Sequence, residues 1–188
     1  MPRHADPVER RQQVVAALYR VVDAEGLDAA SLPRIARELN ATTGLLQKYF
    51  RSKDELLLFA QDQLVEELTA RVREVLGQEG SLQDRLHQAL CAIALVDDAA
   101  RARVWLAFAA RAAANPVLLK RHVEGAREIR ELCRHVLEAA GRDGGEAVGL
   151  AALVDGVTAQ RALEPDVMTA EVAKQVIAGH LAMIWGNE

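Results

Sequence analysis

Apolar residues recur along this chain at intervals of three and four, the spacing that places them on one face of an α-helix. Val14, Leu18, Val21 and Val22 form one such stripe, and Leu46 and Phe50, four apart, form a shorter one. Strict alternation of apolar and polar residues, the mark of a half-buried strand, is nearly missing. Punctuation residues separate the stripes: Gly26, Gly77, Gly80, Asp97-Asp98, Asn115-Pro116, the run 141–145, and Glu164-Pro165. The pattern predicts an all-α protein of about nine helices. The expected spans are 7–24 for the first helix, then two short helices, a long helix at 53–76, and further helices at 81–96, 99–114, 116–140, 146–163 and 169–185. An N-terminal three-helix head, residues 1–53, is expected to lead into a helical body, residues 54–188.

The segment 31–57 carries the densest local instructions. Ser31 can accept from the amide of Arg34 and so start a helix, and Pro33 is harmless in a first turn, whose amides have no intrahelical acceptor. Ile35, Ala36 and Leu39 face inward. Asn40 follows, and asparagine tolerates the left-handed conformation that ends a helix better than other side-chain-bearing residues. Thr42 can cap the next, short helix. Thr43, Leu45, Gln47 and Lys48 are left on its outer side. Ser52-Lys53-Asp54-Glu55 reads as a capping box opening a new helix before Leu56-Leu57-Leu58-Phe59. Two short helices about a tight turn are the grammar of a helix-turn-helix, which places a helix in a DNA groove.

The run from Thr42 to Phe50, followed by Ser52-Lys53-Asp54-Glu55-Leu56-Leu57, resembles the DNA-binding signature of the tetracycline-repressor (TetR) family. Ala16-Ala17-Leu18 and Glu25-Gly26-Leu27 match that family's first helix and its exit. Asn40 stands where the family commonly has glycine, and Leu45-Leu46-Gln47 where it commonly has Thr-Leu-Tyr. The resemblance implies that Thr43, Gly44, Leu45 and Gln47 face base edges, with Leu45 able to meet a thymine methyl, and that Tyr49 and Lys53 hold phosphates. Thr42 and Thr43 can add hydroxyl contacts, Lys48 a further phosphate contact, and Ser31 completes the set expected at DNA. Gln47 is the main candidate for readout, because its amide can bond adenine N6 and N7 together. Lys48 can equally be a solvated lysine and Tyr49 a core aromatic.

The net charge of −4 looks wrong for a DNA binder until it is divided. Residues 1–53 carry +3 and the remainder −7, so the positive end can approach phosphate while the acidic remainder stays soluble. No apolar stretch follows Arg3 as a secretory leader would require, and the longest apolar run, at 89–96, is 8 residues, short of the roughly 18 that span a bilayer. A cytoplasmic protein is expected. Cys91 and Cys133 sit in apolar helical contexts and read as buried thiols.

In the body, the segment 104–108 followed by Asn115-Pro116, and later Ala152-Leu153-Val154-Asp155-Gly156, resembles the C-terminal domain of the choline-responsive (BetI-like) branch of the TetR family. Choline itself does not follow, because both tyrosines lie in the head and only Phe59, Trp105, Phe108 and Trp185 remain to surround a cation. Arg111 and Asp155 interrupt apolar helices. Each can orient a ligand of opposite charge, or the two can pair, or they mark a snorkelling arginine and a helix seam. The pocket expected between the long helix and the central body helices includes Phe59, Gln63, Trp105, Phe108 and Arg111, with Asp155 as a further ligand candidate.

A single reading helix covers few base pairs, so a homodimer on two half-sites is expected. Ala151, Ala152, Ala159 and Ala162 on one helix, with Val176, Ile177, Leu181 and Ile184 on the next, form the expected dimer face, which the family resemblance makes part of a four-helix bundle. The alternative is that these residues fill the chain's own core. The expected partners are therefore operator DNA, a second copy of the chain and a small-molecule effector, with no membrane and no cofactor. The functional expectation is a transcriptional repressor released by its effector. A helical metal-dependent enzyme and a DNA-binding module without a ligand are the alternatives. Asp84-x-x-His87, Glu131-x-x-x-His135 and His135-x-x-Glu138 raise the enzyme reading, but no Glu-x-x-His occurs, as a di-iron bundle would require.

Overall fold

Side chains set where most helices start, and in the computed structural model, which describes residues 6–95 and 97–186, every regular element is helical. In order these are α1 (Pro7–Glu25), α2 (Leu32–Glu38), α3 (Thr43–Gln47), α4 (Lys53–Leu76), α5 (Leu82–Ile93), α6 (Ala99–Ala112), α7 (Pro116–Ala139), a 3₁₀ turn (Gly144–Glu146), α8 (Ala147–Leu163) and α9 (Ala170–Trp185). Asp6, Ser31, Thr42, Ser81, Asp98, Asn115 and Thr169 each accept a first-turn amide of the helix they precede. The capping box before α4 is only half as expected. Ser52 Oγ accepts from the Glu55 amide at 3.1 Å, but the Glu55 carboxylate accepts from the Arg51 amide at 2.8 Å.

The fifth helix ends earlier than the expected span 81–96. Leu95 takes a left-handed φ of 52°, which breaks the helical path. That conformation costs a leucine about 1–2 kcal/mol, and burying its side chain returns about 1.5–3 kcal/mol. Leu95 is buried with Ala102 and Ala162, beside Leu68, Trp105 and Leu106. Val96 and residues 1–5 lie outside the described residues, so the readings that fall on them stop at the sequence.

The chain forms two compact units, residues 1–63 and 64–188, so α4 begins in one and ends in the other. In the first unit α1 packs on α2 and α2 on α3. Val14, Leu18, Ile35, Leu46, Phe50 and Leu57 are all but closed to solvent there. Tyr19 donates its hydroxyl to the Ala60 carbonyl at 3.0 Å, tying α1 to α4. In the second unit, Val72 of α4 joins Leu86 and Leu90 of α5, Cys133 and Leu137 of α7, Leu150 and Val154 of α8, and Ile177 and Leu181 of α9 in one core.

Candidate nucleic-acid interface and body cavity

The turn between α2 and α3 closes through backbone geometry that asparagine permits. Asn40 has φ 51°, its amide donates to the Arg37 carbonyl at 3.1 Å, and the Ala41 amide donates to the Ala36 carbonyl at 2.8 Å. These are the two bonds of a Schellman ending, with Asn40 at the position glycine usually fills. Thr42 Oγ1 then accepts from the Leu45 amide at 3.2 Å and starts α3. Its own O–H stays available to donate. Leu46 and Phe50 point into the core and fix which side of α3 faces out. On that side Gly44, Gln47 and Lys48 are exposed with Thr42, while Thr43, Leu45 and Tyr49 are half-buried.

Gly44 is informative because the chain itself does not require it. A methyl at this position would meet no atom within 4 Å, and glycine inside a helix costs about 1 kcal/mol relative to alanine. A bare backbone at this exposed position lets another surface approach α3 closely.

Two expected DNA residues also have duties inside the unit. Lys53 Nζ donates to the Leu27 carbonyl at 2.5 Å, holding the start of α4 against the loop after α1. Ser31 Oγ accepts from the Arg34 amide at 3.3 Å. Several arginines are likewise engaged. Arg34 bonds Glu25 at 2.6 Å and Glu38 at 3.1 Å, and Arg20 bonds Glu38 at 3.0 Å. Hydrogen bonding to Arg34 holds the Glu25 carboxyl below its usual range, while Arg20 and then Arg34 do the same for Glu38. Arg11 lies over the Phe50 and Phe59 rings at 4.6 and 4.3 Å, with Glu55 at 3.5 Å. Among the described residues, Lys48 and Arg51 are exposed and make no ion pair. Arg51 was not among the expected contacts; its place directly after the buried Phe50, at the exit of the short helix, is the signal that could have named it.

The second unit contains a cavity of about 240 Å³ between α4, α5 and α7. Val65, Leu68, Thr69, Val72, Arg73 and Leu76 line it from α4, Ile93 from α5, and Gly125, Glu128, Ile129 and Leu132 from α7. None of the expected ligand residues is in that lining. Phe59 packs at 5.5 Å, with its ring tilted, against Phe50 in the first unit, where half-buried Gln63 also belongs. Trp105 lies 6.2 Å from the His122 ring, and Phe108 is buried while Arg111 is exposed. Asp155 is at an exposed position on α8, where surrounding protein atoms raise its carboxyl pKa and the charges of His122 and Arg130 partly oppose the rise. The cavity-lining set was missed because it draws on three helices far apart in sequence, with no local motif to join them.

The expected dimer residues divide between two faces. Ile177 and Leu181 are fully buried in the body core, Ile184 packs against it, and Ala151 and Ala162 are also buried. Ala152 and Val176 are exposed and Ala159 is half-exposed. The outward stripe of α8 is instead Val148, Ala152, Gly156, Ala159 and Leu163; that of α9 is Val172, Val176, Gly179 and Met183. Val148, Leu163 and Met183 leave more than three-fifths of their surface in solvent.

Cys91 and Cys133 are free and buried, and burial pushes both thiols up to about 11, leaving them protonated and slow to react at neutral pH. Among the described residues no group of three or more His, Cys, Asp or Glu could hold a metal ion, and His87 and His135 instead meet the backbone carbonyls of Lys174 and Glu131. Among the described residues no helix is long and apolar enough to cross a membrane.

Residues 82–186 match the family of BetI-type transcriptional repressor C-terminal domains, and residues 14–59 match bacterial regulatory proteins of the tetR family. The chain belongs to the TetR family. The regulator is 30% identical to the HTH-type transcriptional regulator PksA of Bacillus subtilis over 98% of this chain and 94% of that protein. It is also 30% identical to the HTH-type transcriptional regulator BetI of Vibrio campbellii over 96% and 94% of the two chains. A transcriptional regulator from Rhodococcus sp. Rha1 superposes with a TM-score of 0.86 at 30% identity, covering 93% of this chain and 95% of that one. A regulator from Saccharomonospora viridis, crystallised in complex with choline, shares the fold with a TM-score of 0.83 at 19% identity, covering 93% and 96%. This TetR-family regulator is thus a DNA-binding transcriptional repressor, of a family that binds operator DNA, typically as dimers.

Proposed function

We propose that this regulator acts in the cytoplasm as a homodimer that represses transcription from a two-fold symmetric operator and leaves it when a small molecule enters the α4–α5–α7 cavity. The outer face of α3 carries the reading. Gln47 is exposed at the end of that helix and reads an adenine; Thr43, Gly44 and Leu45 meet neighbouring base edges. Thr42, Lys48, Tyr49 and Arg51 hold phosphate, Lys53 stiffens the head while adding to that field, and Ser31 keeps α2 in place through its cap.

The outward stripes of α8 and α9 form the dimer contact, because large apolar side chains left in water on two neighbouring helices favour a second copy. Effector and DNA are coupled through α4, which lines the cavity over its second half and enters the head at its first. An effector that binds the DNA-incompetent state better by about 1–3 kcal/mol suffices for release. The choline complex of the Saccharomonospora viridis neighbour raises a second reading, choline as effector, but that neighbour shares the fold alone and the cavity here has no aromatic lining.

Binding-site selection from random DNA tests the proposal. The wild-type protein is expected to return a palindrome of two half-sites, and Gln47→Ala to lose preference at one base pair in each, at a cost of about 1–3 kcal/mol. A selected site without two-fold symmetry would refute the dimer on DNA, and an unchanged motif with Gln47→Ala would remove Gln47 from readout.

A further inference from the structure

The composition of the α4–α5–α7 cavity narrows the chemistry of its ligand. Its α4 wall runs from Val65 to Leu76, about 16 Å at the helical rise of 1.5 Å per residue. Seven Val, Leu and Ile side chains supply most of the lining, and none of it is aromatic. Such a wall suits a flexible aliphatic chain and not a quaternary ammonium, which binds over aromatic faces.

Two charged residues, Arg73 and Glu128, stand among the apolar ones. Arg73 is exposed, so its stem can lie along Val72 and Leu76 while the guanidinium works at the mouth. Its neighbours at three and four residues on α4 are Thr69, Ala70 and Leu76, so no carboxylate of its own helix stands at ion-pairing spacing. Thr69, one turn earlier and also in the lining, adds a hydroxyl donor to the arginine fork. A fork plus a hydroxyl matches the two oxygens of a carboxylate. Glu128 on the α7 side is a competing site for an amine, which the experiment must separate.

Gly125 widens the α7 wall. A Cβ there would meet only Val65 Cγ2, at 4.0 Å, so a small side chain is tolerated and a larger one projects toward the cavity.

We propose that the cavity binds an aliphatic carboxylate, its chain lying along α4 between Val65 and Leu76 and its carboxylate held by Arg73 and Thr69. The inference rests on the cavity being the effector site. Calorimetric titration of the full-length protein with decanoate, decan-1-ol, decylamine and choline separates the two claims. Decanoate is expected to bind at least tenfold more tightly than the other three. Arg73→Gln should weaken decanoate by roughly tenfold to a hundredfold and leave decan-1-ol unchanged, while Gly125→Leu should weaken both. No binding of decanoate, tighter binding of decylamine or choline, or an Arg73→Gln protein that binds decanoate as well as wild type overturns the carboxylate. If Gly125→Leu still weakens whichever probe binds, the cavity stands as the ligand site and only its chemistry was misassigned. If a folded Gly125→Leu protein binds every probe as wild type does and is released from operator equally well, the cavity is not the effector site.

Discussion

The head and the body are both helical and both cap their helices with polar side chains, but the surfaces they offer a partner are built differently. In the head, hydroxyls cap the next turn and arginines answer nearby carboxylates: Thr42 serves Leu45, Ser31 serves Arg34, and Arg34 bridges Glu25 and Glu38. In the body the informative positions are apolar, and what matters is which way they face. Ile177 is sealed in the core while Val176 beside it is exposed, and Ala151 is buried while Ala152 is open. A surface fixed by local bonds can keep its shape while its base contacts vary. A surface made from the unburied side of an apolar helix is free to become an interface.

Removing one large side chain from each core tests that contrast most strongly. Phe50→Ala empties a fully buried site and is expected to cost about 3–5 kcal/mol, read by chemical denaturation, with operator binding lost as α3 loses its anchor. Ile177→Ala is expected to cost about 2–5 kcal/mol at every protein concentration, because its side chain belongs to the chain's own core. If Ile177→Ala shifted only the monomer–dimer balance in sedimentation and left the stability of the monomer untouched, the division of α9 into an inner and an outer face would be wrong.

A smaller effect isolates local capping. Thr42→Ala removes the acceptor for the Leu45 amide and should cost about 1 kcal/mol of stability, whereas Thr42→Ser, which keeps the oxygen, should cost less. Equal losses in the two variants would mean that the methyl, and not the cap, is what α3 needs.

The smallest effect is electrostatic. The Glu25 and Glu38 carboxyls are held below their ordinary value of 4.5 by Arg34 and Arg20. A carboxylate whose folded pKa is lowered adds stability above its ordinary value and loses it as pH falls through the folded one. Between about pH 5 and about pH 3 the melting temperature of the wild type should therefore fall more than that of Glu38→Gln, with the gap narrowing in high salt. Parallel melting curves would show that the exposed network contributes nothing measurable.

The sequence was most readable where its instructions are short in range. The left-handed turn at Asn40, the cap at Thr42 and the inward pair Leu46 and Phe50 each depend on residues within one turn. Lys53 was harder, since the carbonyl it holds is 26 residues away, at Leu27. In the body, helix spans were legible from their breaks, but α8 is apolar almost all round, and a stripe cannot be chosen where both sides qualify. The cavity was least legible. The aromatic residues Phe59, Trp105 and Phe108 are what a sequence offers for a pocket, but aliphatic residues of α4, α5 and α7 line the space.

The internal pairing of Arg20 and Arg34 also bears on how the protein searches a genome. An arginine held by a neighbouring carboxylate releases fewer counterions from DNA than a free one, so the pairing of Arg20 and Arg34 with Glu38 and Glu25 works against tight, strongly salt-dependent holding of arbitrary sequence. Loose holding of wrong sites shortens each stop along the chromosome. With millions of competing positions, occupancy of the right one depends on that ratio more than on the absolute tightness of the grip.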